Sequence, residues 1–444
     1  MKRKIFIQNS IAAYLGLMIA PALLSSCREK DLLPDSDFSG KVIIIGAGAA
    51  GLYAGFILKS LGIDFTILEA SDKTGGRLGK LTGFADFPLD LGAQWLHGRN
   101  SILGDLAQST GTVFSIDDSD ARYWFNSELA AENPLSWDFE AKDDLPDVSF
   151  LEYAEQNGFG AEYKFLVEQI AGDFGADSSE ISAKWTKLEE EEWNSGETDY
   201  KFQETFFDLI DKNITATISD HIQLNTVVSK INYSSDLTTI TDNASNTYTA
   251  DKIIIAVPIT VLQDGDIEFS PALTTTKTDA FNKIGMGAGM KVFLKFSTKF
   301  YAGNIGGGEI CAAYADEITG KTGNDNVLLA FVMGKQAEYL TSLGSDLNIT
   351  NALLAELDEM YDNKATPAFL NAHVENWTTH PYIRGAYSFS TVGIGDARTI
   401  AATSVENKLF FAGEAMNING HHQTVHGAVE TGYREVINLL KSEQ

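Results

Sequence analysis

An α/β fold built on a Rossmann-like nucleotide-binding unit is what the sequence predicts, and three observations carry it. Val42 to Ile45 form an unbroken apolar run, as a parallel strand buried on both faces requires. Gly46, Gly48 and Gly51 follow with GxGxxG spacing and open a helix from about Ala49 to Leu61. A second strand, DFTILEA, carries Glu69, 18 residues after Gly51, where a carboxylate can accept ribose hydroxyls. Gly46 makes the tight turn, Gly48 admits a pyrophosphate, and Gly51 lets the helix close on the strand. The amides of Ala49 and Ala50, at the helix N-terminus, face the phosphates. A fortuitous glycine turn would not set strand, glycines, helix, strand and acid in this order.

The chain has 444 residues, enough for two or three domains. It has no low-complexity tract or clear repeat. Lys plus Arg total 33 against 61 Asp plus Glu, a net charge of −28. Phosphate binding needs a basic face, so nucleic acid is excluded as a partner. Such a field favours cationic ligands, although solubility alone also accounts for it. Of the two cysteines, Cys27 and Cys311, only one lies outside the leader, which excludes a disulfide framework.

Residues 1–27 read as a signal peptide, with Lys2, Arg3 and Lys4 before an apolar run from Ile11 to Leu24. That run is short for a membrane span. It closes with LLSSC, which resembles a bacterial lipobox, so Cys27 is expected to be lipidated and to anchor the chain to a membrane. An ordinary signal peptide with an incidental cysteine is the alternative. RKIFIQ loosely resembles a twin-arginine export signal, with Lys4 in place of the second arginine. The expected location is outside the cytoplasm, as a periplasmic or outer-membrane lipoprotein. Residues 28–39 read as a polar tether.

Directly after Glu69 and Ala70, SDKTGGRLGK places Gly75, Gly76 and Arg77. This element resembles the GR2-type FAD-binding flavoproteins, the flavin-dependent amine oxidase superfamily among them. There the glycine backbone and the arginine, whose donor fork suits phosphate, meet the FAD diphosphate. Enzymes that bind NAD lack it. The resemblance extends along the chain. HIQLNTVVSKINYSS (221–235) is similar to the adenine-side strand, with Val228 at the adenine contact. ADKIIIAVPITVL (250–262) is similar to the strand that re-enters the FAD domain. FNKIGMGAGMKVFLKF (281–296) places the family lysine at Lys291, and the GMGAGMK context chooses it over Lys295. In LFFAGEAMNINGHHQTVHGAVETGYREV (409–436), Gly413 and Glu414 stand at the ribityl contacts. Thr424 and Val425 open a helix aimed at the flavin.

The resemblance implies FAD-domain pieces at 40–115, 220–285 and 395–444. An interleaved α+β substrate domain occupies 116–219 and 286–394. It implies noncovalent FAD, since Ala386 stands where monoamine oxidases carry the cysteine that bonds it. It also implies oxidation of an amine to an imine, with O2 reduced to H2O2. Trp377 and Tyr387, ten residues apart, match monoamine oxidases and lysine-specific histone demethylases. By the same resemblance Trp377 and Tyr382 are expected beside the cofactor, and Tyr387 is expected to form one aromatic wall. The second wall of monoamine oxidase, a tyrosine, is Thr424 here, as in spermine oxidases, leaving a half-open cage for a longer amine. DLGAQWLHGRNS (90–101) resembles the loop beneath the flavin, with Gly92, Ala93, Gln94 and Trp95 against it. His97 follows as in the WIHG run of animal polyamine oxidases, where the histidine approaches the amine. A structural histidine is the alternative there.

Three other readings compete. An L-amino-acid oxidase needs a cation for the substrate carboxylate, and Trp95 stands where that family has arginine; Arg99 or Arg384 could substitute. The same scaffold serves desaturases, and a surface lipoprotein could bind flavin without chemistry. His421, His422 and His426 lack the carboxylate or thiolate spacing of a metal site and read as FAD-side or surface residues. The run Glu189 to Glu192 reads as a solvated helix face.

Overall fold

The computed structural model describes residues 37–135 and 144–443. The leader, Cys27 and most of the tether lie outside the described residues. Among those described, no helix is long and apolar enough to cross a membrane.

The nucleotide unit centres on a five-stranded parallel sheet. Its order is Ile222–Gln223, Asp64–Leu68, Lys41–Ile45, Lys252–Ile255 and Leu409–Phe411. In register, Val42 stands beside Phe65 and Lys252. Both faces of the sheet are covered, which is why the first strand has no polar alternation. Val42 and Ile44 face a core made with the helices Ala49–Ser60 and Val425–Lys441. Ile43 and Ile45 face a second core shared with the helix Thr275–Lys283 and with Val228–Asn232. Val228–Asn232 belongs to a separate four-stranded sheet.

A seven-stranded mixed sheet forms the other large layer. Next to one edge runs the strand Gly289–Phe296, paired antiparallel with Asn326–Met333 on its inner side and with the edge strand Phe369–Asn376 on the other. The helix Asp346–Met360 buries Leu353 and Leu357 against Val292, Leu294 and Leu328 of this sheet. A small sheet joins distant segments: Trp95–His97 pairs with Asp199–Phe202, setting His97 opposite Asp199 and Trp95 opposite Lys201. The C-terminal ends of the parallel strands, the end of Trp95–His97 and the start of Gly289–Phe296 converge on one cavity. That is where open α/β sheets bind ligands.

Candidate active site

The cavity measures about 530 Å³. Every catalytic and cofactor residue named from the sequence lines it except Gly51. Gly51 sits behind the wall, where an added Cβ would lie 2.0 Å from the Gly46 carbonyl oxygen. It is the close helix–strand contact the motif requires.

At the nucleotide end, Gly46 has φ +102°. A Cβ at Gly48 would meet nothing within 4 Å, so the cavity runs directly over the backbone that opens the helix Ala49–Ser60. That open cradle at a helix N-terminus fits a diphosphate. Glu69 is buried at the end of its strand; its carboxylate accepts from the Ala47 amide at 2.6 Å and from Ser71. These residues and Val228 fit the adenosine side of a dinucleotide.

The middle of the cavity is held by a contact the sequence did not reveal. Arg77 Nη1 donates to Glu414 Oε1 at 2.8 Å and to the Ala386 carbonyl at 2.9 Å. The reading of Arg77 as a phosphate ligand therefore needs refinement: its fork also ties the GGR element to the C-terminal segment. Glu414 further accepts from Ser388 and from the Gln423 amide. Burial pushes its carboxyl up, but Arg77 and these donors outweigh burial and hold it at about 2.

Gly92 is required by close approach, since a Cβ there would lie 1.8 Å from the Arg77 carbonyl oxygen. Trp377 is buried and donates its indole N–H to the Leu91 carbonyl at 2.9 Å. The Trp95 indole N–H donates to Asp117 at 2.8 Å, and its ring meets Phe331 edge-on at 5.7 Å. The Tyr387 hydroxyl donates to the Gly172 carbonyl at 3.0 Å. This fixes the phenol as a wall of the cavity. Ala386 and Tyr382 lie along the same wall.

Lys291 is almost fully buried in the strand Gly289–Phe296. Its Nζ donates to the Asp90 carbonyl at 2.9 Å and to Gln94 Oε1. Burial lowers its ammonium from the ordinary 10.5 to about 8, against the pull of Glu317 and Asp90. Lys295, four residues on, is tied to Asp325 at 2.7 Å. His97 shares a 2.7 Å hydrogen bond between Nδ1 and Asp199 Oδ1.

Thr424 lines the cavity and has a structural role besides. Its hydroxyl accepts from the Gly427 amide at 2.9 Å and donates to the His421 carbonyl at 2.7 Å, capping the helix Val425–Lys441. What it contributes to the cavity is small size. Thr424→Ala is expected to lower the unfolding free energy by about 1 kcal/mol through loss of the cap, while Thr424→Ser keeps it. Equal denaturation midpoints for the two variants would remove the capping role.

Two readings are corrected. His421, His422 and His426 are buried, and none lines the cavity or faces solvent. His421 bonds Glu430 at 2.8 Å, and His422 lies 3.1 Å from Glu189. Glu189 therefore leaves the solvated face assigned to it: it turns inward to His422, Ser390 and Arg398. Glu191 and Glu192 remain exposed. Among the described residues, no group of three or more His, Cys, Asp or Glu side chains is arranged to hold a metal ion. Glu317 and Lys201 lie buried behind Lys291, and the Lys321 side chain is buried beside them; the sequence carries no signal that marks any of the three.

Comparison with known proteins agrees with this geometry. A family model described as flavin containing amine oxidoreductase matches residues 49–206 and 120–440. Lysine-specific histone demethylase 2 of Homo sapiens is 28% identical over 467 residues, covering 95% of this chain and 56% of that protein. The chain thus spans about half the length of that relative. Polyamine oxidase 4 of Oryza sativa subsp. japonica is 28% identical over 434 residues, covering 88% of this chain and 86% of that protein. Two solved structures share the fold, each covering 91% of this chain and 99% of their own. A redesigned putrescine oxidase has a TM-score of 0.77 at 20% identity, and cyclohexylamine oxidase from Brevibacterium oxydans IH-35A has 0.77 at 19%.

Proposed function

The chain belongs to the flavin containing amine oxidoreductase family, and from that premise we propose that it oxidises an amine, of polyamine or similar extended type, to an imine. The observation that carries this reading is one continuous cavity joining the dinucleotide cradle at Gly48 and Glu69 to Lys291, Trp95 and Tyr387. FAD, held noncovalently by the residues of the cradle and by Gly413, Val425 and their neighbours, would supply the acceptor for a hydride equivalent, whose electrons then reduce O2 to H2O2.

The chain's own residues prepare the reaction. Trp95, Phe331 and Tyr387 give the reacting end aromatic walls, which disfavour the ammonium form of the substrate and leave its nitrogen lone pair available. Asp173 and Asp199 place carboxylates in the same lining. They attract a second cationic centre and repel a substrate carboxylate. The small side chain of Thr424 leaves room for an extended amine. Lys291 places an ammonium where negative charge develops as oxygen is reduced.

The two arginines that could anchor an amino acid are otherwise engaged. Arg99 lies over the Phe114 and Tyr200 rings, 4.8 and 4.6 Å from their centroids, outside the cavity lining. Arg384 is paired with Asp264 at 2.9 Å and Asp266 at 2.6 Å. An anaerobic panel tests the reading. Spermidine, putrescine or an aromatic monoamine is expected to bleach the flavin absorbance, and acid precipitation is expected to release the flavin into the supernatant. Bleaching by an L-amino acid with none by any amine would overturn the substrate class. Flavin retained in the acid pellet would overturn noncovalent binding.

A further inference from the structure

Behind Lys291 lies a chain of buried polar side chains drawn from four separate segments. Gln94 Oε1 accepts from Lys291 Nζ, and Gln94 Nε2 donates to Glu317 Oε1 at 3.0 Å. The same carboxylate oxygen accepts from Lys201 Nζ at 3.2 Å. Lys201, Glu317, Gln94 and Lys291 are each no more than 3% exposed. An amide carries an acceptor and a donor at its two ends. An ammonium can only donate and a carboxylate can only accept. Glu317 therefore dictates which end of Gln94 faces Lys291. With a neutral, rotatable group in its place, the amide could turn its NH2 toward the ammonium and push it away.

We propose that Glu317, itself held by Lys201, is a positioning residue for Lys291: it orients the Gln94 amide and keeps Lys291 an ammonium against the cavity. The effect on oxygen reduction rests on the amine-oxidase reading; the placement and charge of Lys291 do not. The other charged groups around Lys291 are identified by the packing. Asp90 accepts from Lys291 through its carbonyl, and its carboxylate lies 3.6 Å from Lys321. Burial raises that carboxyl to about 6. Lys201 and Lys321 lower the Lys291 ammonium by repulsion, while Glu317 and Asp90 raise it. Glu375, opposite Lys291 in the sheet register, is the further carboxylate on that face. The Trp95 and Phe293 rings lie 5.8 Å from Nζ. Burial opposes ionisation of Glu317, but Lys201, Lys291 and Lys321 outweigh it and hold its carboxyl below the usual range. It thus stays charged while Lys291 titrates.

The test reads Lys291 directly in the FAD-loaded protein, by NMR of isotopically labelled lysine side chains, with the Lys291 signal assigned by its loss in Lys291→Met. Glu317→Gln is expected to lower the titration midpoint of Lys291 by roughly one pH unit, a tenfold change in its ionisation equilibrium. Glu317→Asp, which keeps the charge, should restore most of it. The pH limb of the oxygen step should move with the midpoint, while anaerobic reduction by amine stays unchanged. A midpoint in Glu317→Gln equal to that of the parent overturns the proposal. Should that variant fail to fold because Lys201 is left unpaired, Glu317→Gln is made in a Lys201→Gln background and its midpoint is read against that of Lys201→Gln alone, which already lacks the Lys201 repulsion; equal midpoints in these two overturn the proposal. If no amine reduces the flavin, the functional reading falls, while a shifted midpoint still supports the role of Glu317.

Discussion

Arg77→Met is expected to lower the unfolding free energy by about 3 kcal/mol and to weaken FAD retention together. The reason is the partner left behind. Glu414 is buried, and its carboxylate is compensated by Arg77 at 2.8 Å. Removing one partner of a buried pair strands a charge, which costs far more than removing both. Arg77→Met combined with Glu414→Gln should therefore recover part of the loss. The acid side of the stability curve gives a second check. Glu414 titrates at about 2 in the fold against an ordinary 4.5. A folded value below the unfolded one adds stability that is complete above pH 4.5 and fades as the pH falls toward 2. The variant should lose that contribution, so its stability should fall less steeply over this window. Urea midpoints between pH 2 and 7, with flavin measured after gel filtration, decide the matter. A variant within 0.5 kcal/mol of the parent (the usual spread for innocuous substitutions) that keeps its flavin would sink this account.

Lys291→Met is expected to slow the oxygen-dependent half of turnover by about a hundredfold while FAD stays bound. Removing one well-placed electrostatic group at a developing negative charge typically has an effect of this order. The parent's oxygen step should fall as the pH rises through about 8, where Lys291 loses its proton. The variant should lack that limb. Stopped-flow reduction by amine and reoxidation by oxygen, measured separately, distinguish the halves. An unchanged oxygen rate would remove Lys291 from the chemistry.

The glycine turn, its flanking strands and Glu69 were legible because their constraints are local. A tight turn, a close helix and an acid at a strand end are set within about thirty consecutive residues. The segments around Lys291, Tyr387 and Gly413 were legible only through resemblance, since alternation alone does not separate Lys291 from Lys295. Thr424 was placed at the helix start, and its capping role was available from the general preference for Thr at that position. Glu317 and Lys321 carried no signal at all. They stand in an ordinary polar stretch, and nothing in their neighbours marks them as buried.

The sequence by itself determined the nucleotide cradle: the first strand, the glycine turn, the helix that follows and the acid at the end of the second strand. Backbone geometry and hydrophobic period impose those on short windows. Only the tertiary structure decided the pairing of Arg77 with Glu414, the burial of the C-terminal histidines and Glu189, and the Lys201–Glu317–Gln94–Lys291 chain. Each joins residues far apart in the chain, and a charge declares its role only through the partner that burial brings within reach. DLGAQWLHGRNS spans both kinds. Its glycine was readable as a close approach, but the partners of Gln94, Trp95 and His97 lie between Asp117 and Glu317 and became visible only in the fold.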